Sequence, residues 1–149
     1  RYNYSHDANI GHNLKSRADT NMIAYSRFSS LAPGQTGSTA AGKPSYEIDL
    51  PNAGTSYVIG NIIQQPASNS NSAMLAYGEE GAVNAGSDLY IINNTFLNDM
   101  GSGGTFMFVS GKVPTPAVAE RSSTINPVIS ASGTSALIWS QPRQPARVS

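Results

Sequence analysis

GNII at residues 60–63 and NNTF at residues 93–96 lie 33 residues apart, and their alignment decides how this chain is read. Working outward, YSRF (25–28) and NPVI (126–129) join them. The last residues of the four segments, Phe28, Ile63, Phe96 and Ile129, are separated by steps of 35, 33 and 33. RYNY (1–4) fits in front as a shorter step of 24, from Tyr4 to Phe28. A second series runs beside the first: HNLKSRA (12–18), YEIDLPN (46–52), AMLAYGE (73–79), TFMFVSG (105–111) and SALIWSQ (135–141). Short apolar runs bounded by Asn, Gly, Ser and Pro are strand and turn signals, and helical periodicity is weak throughout.

A fixed period carrying two strand-like segments implies a solenoid, because a single coil cannot bury its own apolar face. Ile48 and Leu50 alternate with Glu47 and Asp49, whereas Leu89 to Ile92 is apolar throughout, as a strand covered on both faces would be. The stretch 29–45 reads as an insertion after which the strand spacing resumes. The expected fold class is all-β, a right-handed parallel β-helix that forms a section of a longer solenoid. Coils occupy 1–140 and a loose Pro-interrupted tail occupies 141–149. An antiparallel sandwich with turns every 8–12 residues or so is the competing arrangement. Phe28, Ile63, Phe96 and Ile129 are expected in one inward stack, and Leu14, Ile48 and Leu75 in another. Asn61, Asn93, Asn94 and Asn126 recur at coil corners, where Asn tolerates left-handed backbone and can bond an amide one coil away. The N-x-T sequon at Asn93 is expected to be poorly accessible there.

Composition narrows the functions. The 149 residues carry no net charge and only 12% charged residues, so the basic footprint of a nucleic-acid binder is missing. No apolar stretch approaches the roughly 20 residues of a membrane span, and no polybasic run suits an anionic membrane. Without cysteine there is no disulfide framework or thiolate metal site. Abundant Asn, Ser, Thr and Gly with little charge points to an extracellular or periplasmic setting. The chain opens at Arg1 inside a strand-like segment, which reads as a processing or cloning boundary. Exposed strand edges there lead to an expectation of end-to-end or homo-oligomeric association.

With Leu14 and Ile48 in the core, strict alternation puts Asn13, Lys15 and Arg17 on one outward face, with Glu47 and Asp49 one coil away. Strands about 4.8 Å apart bring Lys15 beside Asp49 and Asn13 beside Glu47. An acid beside a base on a rigid sheet suits proton transfer, and equally suits an ordinary ion-pair ladder. Tyr77 and Glu79 end the next strand with Glu80, a place for a carbohydrate or calcium, or simply a solvated turn. Tyr46, Tyr57, Tyr90 and Trp139 offer aromatic faces that stack on sugars as readily as in a core. His6, Asp7 and His12 fix no common face, so no metal site is assigned.

DANIGHNLKSRA (7–18), SYEIDLPNAG (45–54), YVIGNIIQQ (57–65), AYGEEG (76–81) and LYIINNTFLND (89–99) together resemble bacterial right-handed β-helix proteins of the pectate-lyase-like superfamily. NLKSRA (13–18) is similar to the Lys-Ser strand of lyases acting on alginate and chondroitin-type uronic-acid chains. The resemblance implies a lysine base on that strand, an arginine acid in the next coil, and acidic residues holding calcium against the uronate. Lys15 and Ser16 are the positions that carry over; YEIDLPN stands where the arginine would be. Lys15 and Asp49 are thus the candidate catalytic pair, and Asn13, Arg17, Glu47, Tyr77 and Glu79 the candidate substrate-binding residues. The expected partner is an acidic polysaccharide, with neither nucleic acid nor membrane involved, and calcium is the one cofactor the resemblance brings. A non-catalytic surface or fibre module built from the same coils is the alternative.

Overall fold

Tyr2, Tyr25, Gly60 and Asn93 all take left-handed backbone, with φ of 57°, 52°, 64° and 53°, and each stands shortly before a strand of one sheet. A corner made the same way in successive coils is what the recurring Asn signal records. Gly60 is the position that needs glycine twice over, since a Cβ there would lie 2.8 Å from the Tyr25 ring. In this computed structural model the described residues are 1–30, 36, 43–67, 69–100 and 104–114, with the backbone of 118–121.

The strands are β1 (Tyr4–His6), β2 (His12–Lys15), β3 (Thr20–Ala24), β4 (Arg27–Ser29), β5 (Tyr46–Leu50), β6 (Thr55–Ile59), β7 (Ile62–Gln65), β8 (Ala73–Tyr77), β9 (Leu89–Ile92), β10 (Thr95–Asn98), β11 (Thr105–Val109) and β12 (Val118–Arg121). Every third strand joins the same sheet: β1-β4-β7-β10, β2-β5-β8-β11 and β3-β6-β9-β12. All the pairings are parallel. Three parallel sheets with strands in chain order, and no helix among the described residues, are consistent with a parallel β-helix and leave no place for an antiparallel sandwich.

Each coil therefore holds three strands, not the two expected from the repeat. The third series is β3, β6, β9 and β12, of which Leu89 to Ile92 stood out as a strand but not as a member of a series. Its spacing was present in the sequence, but TNMIA and TSYVI mix polar and apolar residues too evenly to stand out. Phe28, Ile63 and Phe96 do stack in register. So do Leu14, Ile48 and Leu75. At the first coil the alignment shifts by one residue: Ser5, not Tyr4, pairs with Phe28, and Tyr4 is exposed. Ile129, Asn126, Trp139, the segment 135–141 and the tail lie outside the described residues.

The core joins Phe28, Ile48, Leu50, Val58, Ile63, Met74, Leu75, Tyr77 and Leu89, all essentially shielded from solvent. Ile63 is sandwiched between Phe28 and Phe96 of the coils on either side. Ile63→Ala is expected to cost about 2–5 kcal/mol, because backbone ladders hold the coils apart and the gap cannot close. Urea denaturation should show this as a lower midpoint with an unchanged slope.

Asn61 and Asn94 complete the corner. Asn61 Oδ1 accepts from Ser26 N at 2.9 Å, and Asn61 N donates to Asn94 Oδ1 at 2.9 Å. Their amide groups donate to the carbonyls of Ile23 and Val58, at 2.9 and 2.7 Å. Asn93, by contrast, is exposed, so the sequon asparagine is accessible at this corner after all.

Candidate functional site

Strand β2 supplies His12, Asn13, Leu14 and Lys15, and β5 answers with Tyr46, Glu47, Ile48 and Asp49. Their register pairs His12 with Tyr46, Leu14 with Ile48 and Lys15 with Asp49. The single polar face expected from strict alternation divides into two clusters.

The first cluster is at the corner where β4 ends. Asn13 Nδ2 donates to Ser30 Oγ at 2.9 Å and to Glu47 Oε2, while Asn13 Oδ1 accepts from Ala8 N at 3.1 Å. Glu47 is fully buried, and its Oε1 has no hydrogen-bond partner among the described residues. Burial pushes its carboxyl up to about 8, against the pull of Asn13 and Ser30, and the nearby Asp7 adds to the rise. Glu47 is thus a corner filling and contributes nothing to an open face, while the half-buried Asn13 is tied into the same corner.

The second cluster surrounds Asp49. Its carboxylate is fully buried; Lys15 Nζ stands 2.9 Å from Oδ2 and His12 Nε2 3.3 Å from it as ion-pair contacts, and neither oxygen has a hydrogen bond of good geometry among the described residues. His12 Nδ1 accepts from Tyr46 N at 3.2 Å, which leaves Nε2 to carry the proton toward Asp49. The imidazole lies flat on the Tyr46 ring, at a centroid separation of 5.5 Å and an interplanar angle of 9°. Asp49 is boxed in by the lysine, the histidine and the residues around them, a geometry far from an exposed ladder.

A turn from the third coil covers this group. After β8 the chain reverses at Gly78, whose φ is +79°, and a Cβ there would meet Val113 Cγ2 at 2.1 Å. The turn sends Glu79 and Glu80 back over the sheet. Tyr46 Oη donates to Glu79 Oε2 at 2.6 Å, and Lys112 Nζ donates to Glu79 O at 3.0 Å. Glu80 is gripped by Lys15 on Oε1 and by Arg17 on Oε2. These two cations hold its carboxyl below the usual carboxylate range, Lys15 more than Arg17. Lys15 in turn is held above the ordinary lysine value, by Glu80 first and Asp49 second.

The structure therefore brings together Lys15, Asp49, Arg17 and Glu79, and adds His12, Tyr46 and Glu80. Tyr77 lies elsewhere: it is wholly buried, its hydroxyl donates to Gly54 O at 2.6 Å, and burial pushes it up to about 12. No ring face of Tyr77 is open to a sugar. Ser16 Oγ donates to Asn21 Oδ1 at 2.6 Å, bracing the turn into β3. Tyr57 and Tyr90 stack on one another at 4.6 Å, so one face of each ring is already used.

His12 was within reach of sequence reasoning, being on the same strand as Lys15. The signal that hid it was parity, since residues 12 and 15 lie on opposite faces of a regular strand. Glu80 carried no such signal, because only the turn at Gly78 brings it over β5 to β2.

Calcium needs six to eight oxygens. No three His, Asp or Glu side chains converge as ligands among the described residues, and Lys15 Nζ fills the space between Asp49 and Glu80. This donor set does not fit the ion. No protein-family model, curated protein or solved structure matches the chain.

Proposed function

We propose that the chain is a section of a right-handed β-helix of the pectate-lyase-like kind, and that the water-exposed Lys15 and Arg17, on β2 and just after it, bind an acidic polysaccharide without cleaving it. One observation carries the reading: Lys15 is gripped by Asp49 and Glu80 and holds its proton tightly. A base for β-elimination must be deprotonated to act, and flanking carboxylates oppose that. A lysine held charged beside Arg17 suits a sugar carboxylate instead. An extracellular or periplasmic setting follows from such a partner.

The test is calorimetric titration with alginate and other polyuronates, alongside an ultraviolet assay for unsaturated products. Binding without product is expected. Lys15→Ala alone would strand the buried Asp49 carboxylate, so it is combined with Asp49→Asn, and the double variant should lose binding while remaining folded. Product formation by the wild type would replace the binding reading with a lyase; absence of binding to any polyuronate would end both.

A further inference from the structure

The carboxylate of Glu80 reaches Lys15 and Arg17 from two strands away. In the sheet order β11-β8-β5-β2 it belongs to the turn after β8, whereas both cations belong to the first coil, on β2 and just after it. Two strand spacings are about 10 Å. The reach is made by the turn itself: Glu80 N donates to Pro51 O at 3.0 Å, and Gly81, at φ +130°, lets the chain turn away again. Each carboxylate oxygen then meets one cation, Oε1 with Lys15 and Oε2 with Arg17. All three side chains remain in contact with water, at 29%, 55% and 40% exposure for Lys15, Arg17 and Glu80.

Resting on the polysaccharide reading above, we infer that Glu80 is a built-in stand-in for the ligand, occupying the Lys15–Arg17 anion site that a uronate carboxylate takes when the Glu80 side chain swings aside. The two groups are the same chemically: a planar carboxylate with two oxygens, each able to meet one of the cations. Exchange of one for the other leaves the local charge balance unchanged, and Asp49 keeps Lys15 protonated throughout. The contact is made by water-exposed side chains, so its release is cheap, since exposed ion pairs contribute little net stability. Tyr46 and Lys112 hold the neighbouring Glu79, and Glu80 N donates to Pro51 O, so the backbone of the turn stays in place while the Glu80 side chain moves. The apparent affinity for a uronate is lowered by the fraction of time the site stands free of Glu80.

Glu80→Gln removes the competing charge and keeps the side-chain length. The test compares wild type, Glu80→Gln and the Lys15→Ala/Asp49→Asn double variant against a defined-length oligogalacturonate and its fully methyl-esterified form, by calorimetry at low salt. Glu80→Gln is expected to bind the free acid about tenfold tighter than wild type, with no gain for the methyl ester. The double variant should bind neither. Wild-type binding that Glu80→Gln leaves unchanged or weakens would overturn the stand-in role and leave the polysaccharide reading intact. No binding by either wild type or Glu80→Gln would overturn that reading, and this inference with it. A gain shared equally by the methyl ester would also overturn it, because steric opening rather than charge competition would then be the cause.

Discussion

Folding stability should fall as pH rises from about 4.5 toward about 8, and Glu47→Gln should abolish most of that fall. The unfolded chain releases the Glu47 proton near the ordinary 4.5, whereas burial keeps the folded carboxyl protonated up to about 8. Between those values the folded state binds a proton that the unfolded state has lost, so each step up in pH favours unfolding. The stability is complete below the unfolded value and gone above the folded one. At about 1.4 kcal/mol per pH unit of separation, the full effect is on the order of 4–5 kcal/mol. Gln at position 47 keeps a polar group against Asn13 and Ser30 but has no proton to lose. The variant should match the wild type near pH 4.5 and exceed it by several kcal/mol near pH 9, in urea titrations at a series of pH values. Parallel curves for the two proteins would mean that Glu47 is ionised inside the fold and stabilised by groups other than those seen.

Asn61→Ala is expected to be of similar severity, although it removes only a small polar side chain. The Asn61 amide serves the coil before it through Ser26 N and Ile23 O, and meets the coil after it through Asn94 Oδ1. Alanine would leave the Ser26 amide and the Ile23 carbonyl buried at the corner without this partner. An unsatisfied buried group costs about 1–3 kcal/mol, so two of them put the loss at roughly 2–6 kcal/mol. Chemical denaturation measures it, and hydrogen exchange locates it: the Ser26 amide should lose protection more than amides in the middle of β5. A loss below about 1 kcal/mol would mean that water enters the corner and replaces the side chain.

The sequence by itself determined the period, the all-β class and most of the stacking partners. Phe28, Ile63 and Phe96, like Leu14, Ile48 and Leu75, recur at the spacing of one coil, and a solenoid repeats its contacts at its sequence period. Lys15 facing Asp49 follows from the same register. Tertiary structure alone decided what happens where strands end. At the Asn13–Glu47 corner strict alternation no longer describes the side chains: Glu47 is shut away with Ser30, and Asp49 is shared by Lys15 and His12, residues of opposite parity. The same holds for Tyr77, a strand-end tyrosine whose pattern suited either a surface or a core, and which the coil closed around. Glu80 is the extreme case, since its partners lie 65 and 63 residues earlier in the chain. Repetition is a property of neighbouring residues and survives in a linear reading. The direction a turn takes over a sheet depends on left-handed glycines and on the packing of Val113 against Gly78, and those contacts exist only once the coils are stacked.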